Sequence, residues 1–414
     1  MTDIADQAWF RDAGLQRVLS LLNSDGGEAR VVGGAVRNSL MNIPVSDMDI
    51  ATTLRPEVVQ ARAGAAGIKC IPTGLKHGTV TLVVEGRPFE VTTLRRDVET
   101  DGRHAQVEFT DDWKADAERR DLTINALYAD QHGVVHDYAG GLADIETATI
   151  RFIGSAAERI AEDHLRILRF FRFFAYYGKG RPDADGLKAS ATAKKSLALL
   201  SAERVWAEMK KLLSANDPFR ALLWMRTAGV LTEVLPETEK WGIDTIPALI
   251  RAEEKFGWKP EPLLRLAAIV PPVPDRVAAM AERLKMSTAE RRFLQQFSEY
   301  PDVPDTVSQP QMRKMLYQNG REGAVAKLKL SVTTAFAKGE DNLDALRRLG
   351  FLRDLLEMAE GWMRPVFPVN GADLIGMGFE PGPGMGAALS KLEEKWIDSD
   401  FEPSKTDLIA TLIQ

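Results

Sequence analysis

The chain has 414 residues, 45% of them hydrophobic and 27% charged, with a formal net charge of −6. That length exceeds one ordinary core and suits a globular chain of two to four domains. The acidic balance excludes a uniformly basic nucleic-acid-binding surface, so any such contact must come from a local patch. Residues 151–215 offer one, with 13 Lys/Arg against 7 Asp/Glu. Cys70 is the sole cysteine, which leaves no disulfide partner within the chain and excludes a thiolate metal cluster. The opening "MTDIADQAWFRDAGL" has no basic segment followed by an apolar one, and no apolar run approaches the ~20 residues of a membrane span. The expectation is a cytoplasmic protein with no membrane partner.

Residues 1–150 mix short strands with helices. "ARVVGGAV", "SDMDIATT", "TVTLVVEG" and "RPFEVTTLR" are rich in β-branched residues and bounded by Gly, Pro or Asn. "PEVVQARAGAAG" reads as a helix between two of them. Residues 98–118, "VETDGRHAQVEFTDDWKADAE", are polar and read as a long mobile loop leading into a helix. Beyond residue 150 the strands stop. "AERIAEDHLRILRFFRFFAYYG" reads as one long helix ending at Gly178, and "SAERVWAEMKKLLSA" as another, with Ser201 placed to cap it and Glu203 in its first turn. Helical patterns continue to the end of the chain, broken by "IVPPVPD" and "EPGPGMG". The division is a head at 1–150, a helical neck at 151–215, a helical body at 216–310 and a helical tail at 311–414.

Asp47 and Asp49 are two apart. On a strand that spacing puts both on one face, where two carboxylates can converge on hard cations. Mg²⁺ enters such sites with substrate phosphates, and paired ions suit nucleotidyl transfer with a pyrophosphate leaving group. Gly33 and Gly34 lie between an apolar strand and a helix, a turn that lets backbone approach a phosphate. Arg37 sits one turn into that helix and could offer its fork to the same triphosphate. Neither a P-loop nor a dinucleotide-binding glycine pattern is present here. Glu90, on a later strand, is a candidate third acid. The five histidines, including His136 beside Asp137, form no ligand pattern.

These pieces resemble the class II tRNA nucleotidyltransferase and bacterial poly(A) polymerase family. Its motifs are read here, in order, as "GGAVRNSLMNIPVSDMDIAT", "RRDLTINALYAD" (119–130), "EDHLRILRFFRF" (162–173) and "ERVWAE" (203–208). The resemblance is strong over residues 30–215 and again at 371–397. It implies an α+β chain: a DNA polymerase beta-like nucleotidyltransferase head with a small mixed sheet, then an all-α neck, body and tail. It also implies Arg120 on the triphosphate, with Arg119 as helper, and nucleotide binding by Arg166, Arg169 and Arg172. Asn125 and Asp121, four apart, are expected on one helical face, with Asn125 reading the ribose or orienting a neighbour. Two positions depart from the family pattern: Asn38 replaces its usual acid and His164 its common proline.

Asp163 and Arg166, three apart, would be neighbours on a helix and present an acceptor beside a donor. Cytosine and adenine both offer the complementary edge, whereas guanine and uracil reverse it. The pair therefore predicts a site for CTP and ATP, and the resemblance implies that it serves as a protein template. Arg204 and Glu208 are expected to pair with each other and support that helix. The resulting expectation is Mg²⁺-dependent, template-independent addition of CCA to the 3′ end of tRNA. Poly(A) polymerase, a partial enzyme adding only CC or only A, and a non-catalytic RNA-binding protein of the same fold are the alternatives.

Overall fold

A computed structural model describes residues 2–101, 104–239, 242–304, 306–339 and 342–412. The chain divides into two compact units, 1–236 and 237–414.

The first unit opens with α1 (Ala13–Leu22), β1 (Ala29–Val32), α2 (Gly34–Leu40), β2 (Asp49–Thr52) and α3 (Pro56–Ala65). Then come β3 (Lys69–Gly74), β4 (Thr79–Val84), β5 (Arg87–Thr93), β6 (Arg95–Asp101), β7 (His104–Phe109), α4 (Trp113–Glu118), β8 (Leu127–Ala129), β9 (Val135–Asp137) and α5 (Gly141–Glu146). A seven-stranded mixed sheet runs in the order β3-β4-β5-β2-β1-β8-β9. Its only parallel pair is β2 with β5. The alternation of β4 buries Val80, Leu82 and Val84 and leaves Thr79, Thr81 and Val83 on the other face, as a half-buried strand requires. One sheet face, with Val31, Ile50, Val91 and Leu127, joins α1 and α3 residues such as Leu15, Leu19 and Val59 in the main core. The opposite face is the working one. Strand register aligns Glu90, Asp49, Val32 and Tyr128 in a single transverse row across β5, β2, β1 and β8.

Residues 98–118 are not one long loop. β6 and β7 pair as an antiparallel hairpin, and Asp112 caps α4 by accepting from the amides of Lys114 and Ala115. The period-two pattern of "AQVEF" is the strand signal that the segment's polarity obscured. Residues 102 and 103, which also fell in that expectation, lie outside the described residues.

The first unit closes with α6 (Ala156–Glu162), α7 (Arg166–Tyr177), α8 (Ala184–Ala193), α9 (Ala202–Leu213), α10 (Phe219–Thr227) and α11 (Val230–Val234). The helix expected to run unbroken to Gly178 is thus two helices. Asp163 ends α6 in an extended conformation (φ −150°, ψ 107°), and its Oδ1 accepts from the Leu165 amide at 3.1 Å. A short acidic side chain offers the backbone this local alternative to continuing the helix. Ser201 does occupy the N-cap position of α9, but its side chain makes no capping bond.

The regular elements among the described residues of the second unit are all helices: α12 (Thr245–Phe256), α13 (Pro262–Ile269), α14 (Pro274–Arg283), α15 (Thr288–Glu299), α16 (Gln309–Asn319), α17 (Arg321–Ala337), α18 (Leu343–Gly361), α19 (Gly371–Ile375), α20 (Pro383–Asp398) and α21 (Lys405–Ala410). One core gathers Met312, Leu316, Leu328, Val332, Leu352 and Leu355; another gathers Leu374, Leu392, Trp396 and Leu408. Fully buried Arg265 pairs with Glu253 at 2.6 Å. Among the described residues no helix is long and apolar enough to cross a membrane.

Phe170 of α7 is fully buried and stacked on Phe152 at 5.3 Å between ring centroids. Phe170→Ala should cost about 3–5 kcal/mol of stability, measured by urea unfolding; a loss below ~1 kcal/mol would mean that this packing does not anchor α7.

Candidate nucleotide-binding cleft

The working face of the sheet and α7 bound a cleft of about 890 Å³. All twelve candidate residues line it: Gly33, Gly34, Arg37, Asp47, Asp49, Glu90, Arg120, Asn125, Asp163, Arg166, Arg169 and Arg172. They come from six stretches of chain, which the sheet and the α6–α7 break bring together.

Asp49 opens β2 and pairs in register with Glu90 of β5, while Asp47 lies just ahead of the strand with its Oδ2 accepting from Ser46 Oγ at 2.9 Å. Partial burial raises the Asp49 carboxyl above its ordinary value, Glu90 and Asp47 add to the rise, and Arg120 opposes it. A carboxyl whose neighbours oppose its charge is suited by a cation. The donors of these acids are all oxygen, the set a hard divalent ion takes. Among the described residues no three ligating side chains form a ready-made cage. The fit is therefore to an ion that completes its shell with water and substrate phosphate, as Mg²⁺ does.

Gly33 is the N-cap of α2 with φ +72°, a conformation costly for any residue with a Cβ. Its amide is spent on the carbonyl of Leu127, so it does not serve a phosphate as the glycine turn suggested. Arg37 lines the cleft but is mostly buried, its fork engaged by protein partners. It donates to Asn38, to Asn125 Oδ1 and to the Tyr177 hydroxyl, and lies 4.1 Å above the Tyr177 ring. That burial lowers its pKa. Asn38 accepts from Arg37 through Oδ1 and donates through Nδ2 to the Pro44 carbonyl at 3.1 Å, a donation that the family's usual acid could not make.

Asn125 and Asp121 do not share a helical face, since residues 123–125 form only a 3₁₀ turn. They are bonded all the same. Asn125 Nδ2 donates to Asp121 Oδ1 at 3.1 Å, and Arg169 grips Asp121 Oδ2 at 2.6 Å. Arg37, Asn125, Asp121 and Arg169 thus form a chain from α2 to α7. Burial works against the Asp121 charge, but Arg169, Asn125 and the Leu122 amide outweigh it and hold the carboxyl below its ordinary value.

Asp163 and Arg166 are not neighbours on one helix; the break separates them, and each has a protein partner. Arg204 donates to Asp163 Oδ2 at 2.7 Å, while Arg166 bonds Glu162 and the Arg159 carbonyl. Arg204 and Glu208 therefore do not pair with each other. Glu208 accepts from Arg172 at 2.6 Å, so α9 bonds both Asp163 and the last arginine of the series. The sequence reading gave no role to Asp116, Tyr128 or Tyr177. Asp116 did carry a signal, lying three and four residues before Arg119 and Arg120.

Residues 29–151 match the family described as Poly A polymerase head domain, and residues 183–241 the one described as Probable RNA and SrmB- binding site of polymerase A. The chain is 36% identical to CCA tRNA nucleotidyltransferase 1, mitochondrial, of Danio rerio, over 99% of this chain and 92% of that protein. Identity to the Homo sapiens protein of the same name is 34%, over 96% and 89%. Among solved structures, the Bacillus stearothermophilus CCA-adding enzyme in complex with CTP is similar with a TM-score of 0.74 and 27% identity, over 97% of this chain and 96% of that one.

A carboxyl whose pKa falls on folding stabilises the fold above its unfolded value, near 3.9, and loses that contribution as pH drops through the lower folded value. Asp121→Asn should therefore cost about 1–3 kcal/mol at neutral pH. Thermal melts across the acid range should show the deficit shrinking below about pH 4. A deficit that persists undiminished in acid would disprove the charge-based linkage.

Proposed function

The chain belongs to the class II CCA tRNA nucleotidyltransferase family, and we propose on that footing that this cleft adds C and then A to the 3′ end of tRNA from CTP and ATP. The observation that carries the reading is the meeting of an acidic row on the sheet with an arginine series on α7 across one cleft. The family's chemistry takes a divalent metal, which we assign as Mg²⁺ held by Asp47 and Asp49 with Glu90 beside them. When bound, it supplies activation of the attacking hydroxyl and neutralisation of charge on the departing pyrophosphate.

The chain's own residues account for the rest. Arg120 and Arg169 present guanidinium charge to the triphosphate from opposite walls, where it stabilises the negative charge that grows during transfer. In this reading the 3′-hydroxyl of the RNA attacks the α-phosphorus in line and pyrophosphate leaves. Asp163 supplies acceptors and Arg166 donors to the base edge. Cytosine and adenine meet that pair with an amino group and a ring nitrogen. Uracil and guanine would set a keto oxygen against the carboxylate, leaving charged groups unpaired at roughly 1.5–3 kcal/mol per lost bond. Asp163 retains lone pairs beyond its bonds to Arg204 and the Leu165 amide, and an arginine has five donors, so both can serve a base without leaving their partners.

We assign 1–150 as the catalytic head, 151–215 as the neck with the nucleotide-selecting residues, and the body at 216–310 and tail at 311–414 as helical supports, the tail contacting tRNA. Backbone phosphates and the shape of the acceptor arm would be its targets. Free Cys70 suits a reducing compartment, and we place the chain in the cytoplasm.

Transcripts ending before CCA, after C and after CC, each offered one labelled nucleotide beside a generic RNA, test the reading directly. Incorporation of C, C and A in order, on tRNA alone, is expected. A-tails on every RNA would instead make the protein a poly(A) polymerase, and a single nucleotide type would make it a partial enzyme. Asp49→Ala should reduce turnover by roughly 10²-fold or more while RNA retention on a filter stays near normal. Asp163→Ala should narrow the preference for CTP over UTP by about tenfold or more; unchanged selectivity would remove Asp163 from base choice.

A further inference from the structure

We propose that Asp116, seconded by the Tyr128 hydroxyl, is the positioning residue that aims Arg120 at the triphosphate. The proposal rests on the reading of the cleft as a nucleoside triphosphate site.

Asp116 touches no cleft surface. Its side chain is 1% exposed, yet it collects bonds from four partners. Arg119 takes Oδ1 at 2.7 Å, and Arg120 takes Oδ2 through Nη2 at 3.0 Å. The Tyr128 hydroxyl donates to Oδ2 at 2.8 Å, and the Arg95 amide reaches Oδ1 at 3.3 Å. A carboxylate this deep persists as an ion only because it is so fully bonded. Burial opposes its charge, and the two guanidiniums with Tyr128 overcome that, holding it below its ordinary value.

The consequence falls on Arg120. Its Nε donates to the Tyr128 hydroxyl at 3.0 Å and its Nη2 to Asp116, so one edge of the planar fork is fixed. Nη1, on the other edge, lies about 4.0 Å from where a Cβ would stand on Gly33. The fork is therefore clamped inward and presents its remaining donor beside the glycine turn. Tyr128 is itself fully buried and stands in the transverse row with Asp49 and Glu90. That row sets the position of Arg120 relative to the acids. An untethered arginine carries rotamer entropy that a pre-set one need not lose on binding.

The test compares Asp116→Asn and Tyr128→Phe with the wild type in steady-state transfer to tRNA. Asp116→Asn should raise KM for CTP and ATP about tenfold or more, with KM for tRNA within about twofold and the melting curve still cooperative. Tyr128→Phe keeps the ring packing and removes the two bonds of the hydroxyl, to Asp116 and from Arg120, while leaving the Asp116–Arg120 pair, so a rise of about two- to fivefold in nucleotide KM is expected. In an Arg120→Ala background the Asp116 change should add less than about twofold, because its route of action is gone. Unchanged nucleotide KM in both single variants overturns the proposal, as does full additivity with Arg120→Ala. If Asp116→Asn does not fold, Tyr128→Phe alone decides by the same nucleotide-against-tRNA split. Wild-type protein that transfers neither C nor A overturns the underlying function reading instead, and is distinguished by that control.

Discussion

One strand register in the first unit sets a carboxylate, Asp49, beside others that oppose its charge. The parallel register of β2 on β5 sets Asp49 beside Glu90, and the approach to β2 brings in Asp47. A sheet does not relax such a contact by moving one side chain, because register fixes every residue of the strand together. Asp49 therefore stays beside Glu90, and its carboxyl stays costly to ionise.

The opposite wall solves the inverse problem. Arginines are expensive to bury unless paired, and six along this cleft have an acid behind them, while Arg37 is held by Asn38, Asn125 and Tyr177. Arg169 has Asp121, Arg172 has Glu208, Arg166 has Glu162, Arg119 and Arg120 share Asp116, and Arg204 holds Asp163. The pairings join α4 and the turn after it, α6, α7 and α9, so the charges that line the cleft are also the bonds that hold these elements in place. A guanidinium fixed by its partner on one edge and open on the other is oriented before substrate binds, which is what electrostatic preorganisation requires. The break at Asp163 belongs to the same scheme. It frees that carboxylate from helical geometry and lets Arg204 of α9 reach it.

The position of the break was legible in principle. Asp163 stands just ahead of a strongly apolar run, as an N-cap does, and the family's common proline at the place of His164 is a residue suited to the first turn of a helix. Reading "AERIAEDHLRILRFFRFFAYYG" by its periodicity alone joined two helices, because three skipped residues barely disturb a 3.6-residue pattern. The hairpin of β6 and β7 is hard to read for a related reason: its polarity resembles that of a loop, whereas a two-stranded ribbon is held by its backbone bonds and needs little apolar surface.

What the sequence determined alone was local chemistry and order: the acid spacing before β2, the glycine needed for a positive φ at residue 33, the arginines at intervals of three, and strands giving way to helices near residue 150. These depend on neighbours in the chain, and spacing carries them. Partnership was decided only by tertiary structure. Nothing in the sequence says that Arg204 pairs with Asp163 rather than Glu208, that Arg37 turns inward onto Tyr177, or that Asp116 stands behind Arg120 with Tyr128 at its side. Those choices follow from which strands are adjacent and where α9 crosses α7, and a buried charge takes whichever opposite charge the packing brings within reach.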